Sequence, residues 1–102
     1  MKLKDEISYL NGDINYRVVA KNASGVIALV AFDRGTATPL HMAEADVLLQ
    51  VLEGAVKVVM PDAQREVSIS EGEFLTMSPA TRHTVSAEVP AKVLLTRLNS
   101  VR

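Results

Sequence analysis

Apolar residues alternate with polar ones over short stretches of this chain, and the helical period is nearly absent. Eight runs rich in β-branched residues stand out as strands: 15–21, 25–32, 46–53, 55–60, 66–70, 74–77, 83–87 and 92–98. Turn-forming residues punctuate them at Asn11-Gly12-Asp13, Asn22-Ala23-Ser24-Gly25, Asp33-Arg34-Gly35, Pro61-Asp62-Ala63, Glu71-Gly72-Glu73, Ser78-Pro79 and Val89-Pro90. No helical stretch is long enough to act as a crossover between parallel strands. The pattern therefore predicts an all-β sandwich or barrel of antiparallel strands. No repeat, linker or low-complexity segment interrupts it, and residues 1–102 read as a single domain.

Two runs break the alternation, VIALVAF at 26–32 and VLLQVL at 47–52. A strand with one wet face alternates, so a continuous apolar run predicts cover on both faces. In a barrel one of those faces is the interior. The other is expected to lie under a second sheet layer or a second subunit, which makes a homodimer the expected assembly.

Composition narrows the partners. The 102 residues carry 11 basic and 12 acidic side chains, a formal net charge of −1, with no block of either sign. Nucleic acid and an anionic membrane surface both call for a basic face, so neither is expected as a partner. The four aromatics, Tyr9, Tyr16, Phe32 and Phe74, provide no stacking platform for single strands. With no cysteine, thiolate chemistry is excluded. The polar start, MKLKDEISYLNGD, has no apolar signal core, and a soluble cytoplasmic protein is expected.

The chemistry-bearing residues lie in two places. Gly35 is followed by five residues and then His41, and Gly54 closes the strand that follows. Further on, Gly72, Pro79 and His83 are spaced across the next strand and turn. This pair of spacings resembles the two sequence motifs of the cupin superfamily. The first runs Gly, five residues, His-x-His, three or four residues, Glu, six residues, Gly. The second runs Gly, five residues, Pro-x-Gly, two residues, His, three residues, Asn. The likeness covers roughly residues 15 to 98 and is nearest to small single-domain cupins of unassigned function. It implies a double-stranded β-helix, or jelly-roll barrel, of two antiparallel sheets. It also implies His41 and His83 as metal ligands, and a dimer formed through edge strands and N-terminal exchange that buries the outward faces of the continuous runs.

The departures are as informative as the matches. Ala43 stands where the second histidine of the motif belongs, Val47 where the glutamate belongs, and Ala87 where the asparagine belongs. Pro79 lies one place beyond the usual proline, and Ala80 replaces the glycine. Strand parity leads the same way: with His41 inward, Ala43, Ala45, Val47, Leu49 and Val51 are inward too, and all are apolar. Glu44 and Asp46 face outward unless a bulge near 43–46 inverts the parity.

Met42, Met60 and Met77 read as adaptable packing residues. Arg17, Arg82 and Arg97 are candidates either for an anionic ligand at a barrel mouth or for ion pairs with carboxylates. Three functions follow as alternatives. One is a metal-dependent enzyme of the dioxygenase, isomerase or decarboxylase type, using a weakly held iron, manganese, nickel or zinc ion. Another is a non-catalytic module that binds a small organic ligand. The last is a structural dimer without metal. Catalysis is left open by these residues, and the metal reading places the ion on His41 and His83.

Overall fold

The computed structural model describes residues 1–99. These residues form nine strands: β1 (Ile14–Asn22), β2 (Gly25–Phe32), β3 (Thr36–Ala37), β4 (Ala45–Glu53), β5 (Ala55–Met60), β6 (Arg65–Ser70), β7 (Phe74–Met77), β8 (Thr84–Ala87) and β9 (Ala91–Asn99). Helical structure among the described residues is limited to 3-10 turns at Leu3–Glu6 and Pro61–Ala63. Eight of these strands match the runs read from the sequence, within one residue at each end. The exception is β3, whose two residues are too short to carry a period.

The strands form two antiparallel sheets, ordered β1-β2-β9-β4-β7 and β3-β8-β5-β6. Their facing sides close on one core. Val30 and Phe32 from β2, Val47, Leu49 and Val51 from β4, and Val93 from β9 meet Val56, Val58, Ile69 and Val85 of the second sheet. On β4 the burial alternates with the predicted parity: Ala45, Val47, Leu49 and Val51 are buried, while Asp46 is exposed. All-β with two antiparallel sheets is thus the fold that the β-branched, period-two pattern specifies.

The outer cover of the VIALVAF run comes from an unexpected source. Leu29 and Ala31 are fully buried on the outer face of β2, against Ile7, with Tyr9, Leu52 and Leu94 around them. The chain's own N-terminal segment provides this cover, rather than a second layer or a second subunit. Several polar ties hold the segment down. Lys92 donates to the Lys4 carbonyl at 2.5 Å, Arg17 to the Glu6 carbonyl at 2.6 Å, and Asn15 to the Ser8 carbonyl at 2.9 Å. The Tyr9 hydroxyl donates to Glu53 at 2.5 Å. Desolvation, then the neighbouring Glu53 carboxylate, raise the Tyr9 phenol well above its usual range.

One backbone position explains the end of the first motif. Gly54 has φ +75, and a Cβ there would collide with the Pro90 carbonyl. Only glycine satisfies both the left-handed conformation and the close approach. Ala80, at the place where the second motif has glycine, also adopts a left-handed φ of 65. Glycine would take this conformation without the steric cost that the Ala80 Cβ carries.

Candidate functional site

His41 and His83 are brought together by the chain reversal around the second motif. They form an isolated antiparallel bridge outside the named strands. The His41 amide donates to the His83 carbonyl at 3.1 Å, and the His83 amide to the His41 carbonyl at 2.9 Å. Nearby, the Ala80 amide donates to the Ala43 carbonyl at 2.8 Å, tying the turn before His83 to the segment after His41. The imidazole centroids are 4.3 Å apart with planes tilted by 55°.

Each ring is oriented by a local contact. Nδ1 of His41 lies 2.8 Å from the Pro39 carbonyl oxygen, and Nδ1 of His83 lies 2.9 Å from the Thr81 carbonyl oxygen. A carbonyl can only accept, so in the neutral rings both Nδ1 atoms carry the proton and both Nε2 atoms keep a free lone pair. The environments differ: His83 is 5% exposed, whereas His41 is exposed. Burial pushes the His83 imidazole below its ordinary range, charge on His41 adds to that, and the Thr81 carbonyl opposes it. Strand parity expects His41 to face inward; it stands exposed at the rim, with His83 buried beside it as its cross-strand neighbour.

Both histidines line a cavity of about 340 Å³ inside the barrel. Val30, Phe32, Leu49, Val93 and Leu95 form its hydrocarbon wall, and Ile14 and Tyr16 of β1 extend it. Met42 and Ala43 stand beside His41, and Thr38 beside Val85. The Thr38 hydroxyl accepts the Val85 amide at 2.9 Å and keeps its own proton to donate. The cavity is larger than the motif residues alone indicate because β1, outside both motifs, supplies part of the wall. The alternation of Ile14 and Tyr16 was the available signal for it.

No further protein ligand among the described residues joins the two imidazoles. Among the described residues, no group of three or more histidine, aspartate or glutamate side chains is placed to hold a metal ion. Val47 is buried in the wall at the position of the motif glutamate, and Ala43 is partly buried beside His41. Glu44 and Asp46 are exposed. The irregularity in β4 falls between Val51 and Glu53, not near 43–46, so parity is kept and neither carboxylate turns inward.

The three arginines separate cleanly. Arg82 makes a bidentate pair with Asp62, at 2.8 and 2.7 Å, on the exposed surface. Arg17 lies 3.6 Å from the Glu6 carboxylate. Arg97 lines the cavity, and its Nε is the one buried side-chain polar atom among the described residues without a hydrogen-bond partner.

No protein-family model matches the sequence, and no curated protein matches it. The fold nonetheless has many solved counterparts. A cupin superfamily protein from Desulfitobacterium hafniense superposes with a TM-score of 0.92 at 16% identity, over 98% of this chain and 90% of that one. An RmlC-like cupin from Desulfovibrio desulfuricans gives 0.83 at 24% identity, over 96% and 93%. A cupin 2 conserved barrel domain protein from Leptotrichia buccalis gives 0.90 at 24% identity. This chain spans 97% of its own length in that match and 47% of the Leptotrichia protein.

Proposed function

With the cupin fold as premise, we propose that this chain is a binding barrel that takes a small organic ligand into the cavity beneath His41 and His83. The observation that carries the reading is the cavity itself. About 340 Å³ of space is lined by aliphatic and aromatic side chains, with two imidazoles bearing free Nε2 atoms at one end. Such a space accepts an apolar body and orients it through a few polar contacts. Small side chains at Ala43 and Val47, where motif ligands belong, enlarge the room for the ligand at the expense of metal coordination.

The test is calorimetric titration of metal-free protein with hexanol, a neutral apolar probe. Ala43→Phe places a ring in the cavity mouth and leaves the buried core positions intact. The reading predicts saturable binding to the unaltered protein and its loss in Ala43→Phe. Equal binding to both proteins, or none to the unaltered one, counts against it.

A second reading is favoured by the ring tethers. Histidine ligands commonly hold their second nitrogen against a carbonyl, and both rings here do so. This donor set fits an open site of two neutral nitrogens and does not fit a closed four-ligand one. A divalent transition ion (iron, manganese, nickel or zinc) would be held weakly by His41 and His83, with solvent or ligand atoms completing its shell. When bound it would supply Lewis acidity at the ligand-binding end of the cavity.

A homodimer belongs to the same proposal. Beyond the reach of the N-terminal segment, the outer face of the five-stranded sheet exposes Phe74 (63%), Leu98 (57%) and Ile27 (37%). A second copy is the occupant that would cover this face and the open sheet edge together.

A further inference from the structure

The cavity has one feature that neither an apolar ligand nor a metal ion accounts for. Arg97 projects from β9 into a largely hydrocarbon space, and its Nε is buried without an acceptor. Burying a guanidinium donor unpaired costs free energy, and such groups in native proteins ordinarily have a partner. None of the ion pairs among the described residues includes Arg97.

Register explains why no carboxylate of the sheet can serve. Directly opposed residues in antiparallel strands share a face. Lys21 opposes Val26, Val26 opposes Arg97, and Arg97 opposes Val47. Val47 in turn opposes Met77, so this row holds two cations, two valines and a methionine. Asp46 and Leu98, next in sequence to Val47 and Arg97, are on the other face by parity. The row carries positive charge and no negative charge.

We infer that the cavity ligand is a small apolar monocarboxylate whose carboxylate pairs with Arg97 while its hydrocarbon body fills the barrel. This inference rests on the proposal that the cavity is a ligand site, and it adds the class of ligand. A planar guanidinium matches a carboxylate with paired hydrogen bonds, and Arg97 is half-buried with its Nε shut away from solvent. A single negative charge suits a single cavity-lining guanidinium. A phosphate dianion asks for a shell of donors, whereas this wall is mostly hydrocarbon, with the Tyr16 and Thr38 hydroxyls and the two imidazoles as its other polar groups.

The test compares hexanoate with hexanol by calorimetry on chelator-treated protein near neutral pH. The expected result is hexanoate binding tighter than hexanol by roughly ten- to hundredfold, the scale of a charge-assisted hydrogen bond. Arg97→Gln should bring hexanoate down to the level of hexanol and leave hexanol unchanged, and Arg97→Lys should restore part of the difference. Hexanoate binding no tighter than hexanol to the unaltered protein overturns the inference while the binding-barrel reading stands. Displacement of hexanoate by equimolar inorganic phosphate also overturns it, because the site would then select charge rather than a carboxylate on an apolar body. If neither probe binds, both readings fall together. The comparison of probes on the unaltered protein keeps the inference testable even if Arg97→Gln folds poorly.

Discussion

His41 and His83 are reciprocal backbone partners, each amide donating to the other's carbonyl, and their rings stand 4.3 Å apart at a tilt of 55°. The bridge lies outside the named strands and sets the two side chains side by side, His83 buried and His41 exposed at the cavity rim. Two imidazoles so close cannot both accept protons without repulsion, and His83 is buried besides.

The pH dependence of folding follows from His83. Its pKa is lower in the folded protein than in the unfolded chain. As pH falls below about 6.5, the unfolded state takes up the proton first, so stability declines until the folded-state pKa is reached. Above that window the contribution is constant. Thermal unfolding between pH 7.5 and 5 should show this decline, and His83→Gln should reduce the slope. An unchanged slope in the variant would place the acid sensitivity elsewhere.

Metal uptake should be weak, and it should need both rings. Titration with nickel or zinc in a non-coordinating buffer is expected to give one site per chain. His41→Ala and His83→Ala should each abolish it with the fold retained. Occupancy should fall as pH falls, because protonated imidazole cannot coordinate. Uptake that survives either substitution would assign the metal to other groups.

Ala80 offers a stability test of the second motif. It holds a left-handed φ of 65 where a Cβ is disfavoured. Ala80→Gly should therefore stabilise the protein by roughly 0.5–1 kcal/mol, the relief of strain exceeding the added chain entropy. Chemical denaturation would detect the shift in midpoint. Destabilisation would mean that the turn gains more from the alanine side chain than it loses to strain.

The strands and both sheets were legible because apolar residues alternate wherever one face is buried, as along Ala45, Val47, Leu49 and Val51. Continuous runs were legible as doubly covered strands, yet their pattern could not say what covers them. The cover over Leu29 and Ala31 depends on Ile7 and Tyr9, in a polar segment whose docking arises from side-chain ties with no period. At the site, motif spacing brought His41 and His83 together in advance. It could not give their unequal exposure, which depends on where the rim of the barrel ends. Nor could it separate Arg97 from Arg17 and Arg82, since each partner lies far along the chain or is absent among the described residues.

The assembly prediction follows from the part of the outer face that the N-terminal segment leaves open. Light scattering after size exclusion should give the mass of a dimer at micromolar concentration. Phe74→Glu, at an exposed position in β7, should shift it to the monomer with little loss of folding. A monomer mass for the unaltered protein would contradict the dimer.

The most direct measurement is methyl and amide NMR of the protein titrated with hexanoate. Neighbours on β9 report opposite faces: Val93 and Leu95 line the cavity, and Leu94 packs under the N-terminal segment. A ligand inside the barrel should shift Val93, Leu95, Val30 and Leu49 together with the His41 and His83 rings, and leave Leu94 and Leu48 nearly still. Shifts confined to the outer residues, or no saturable shifts at all, would contradict the central claim that the barrel interior is the binding site.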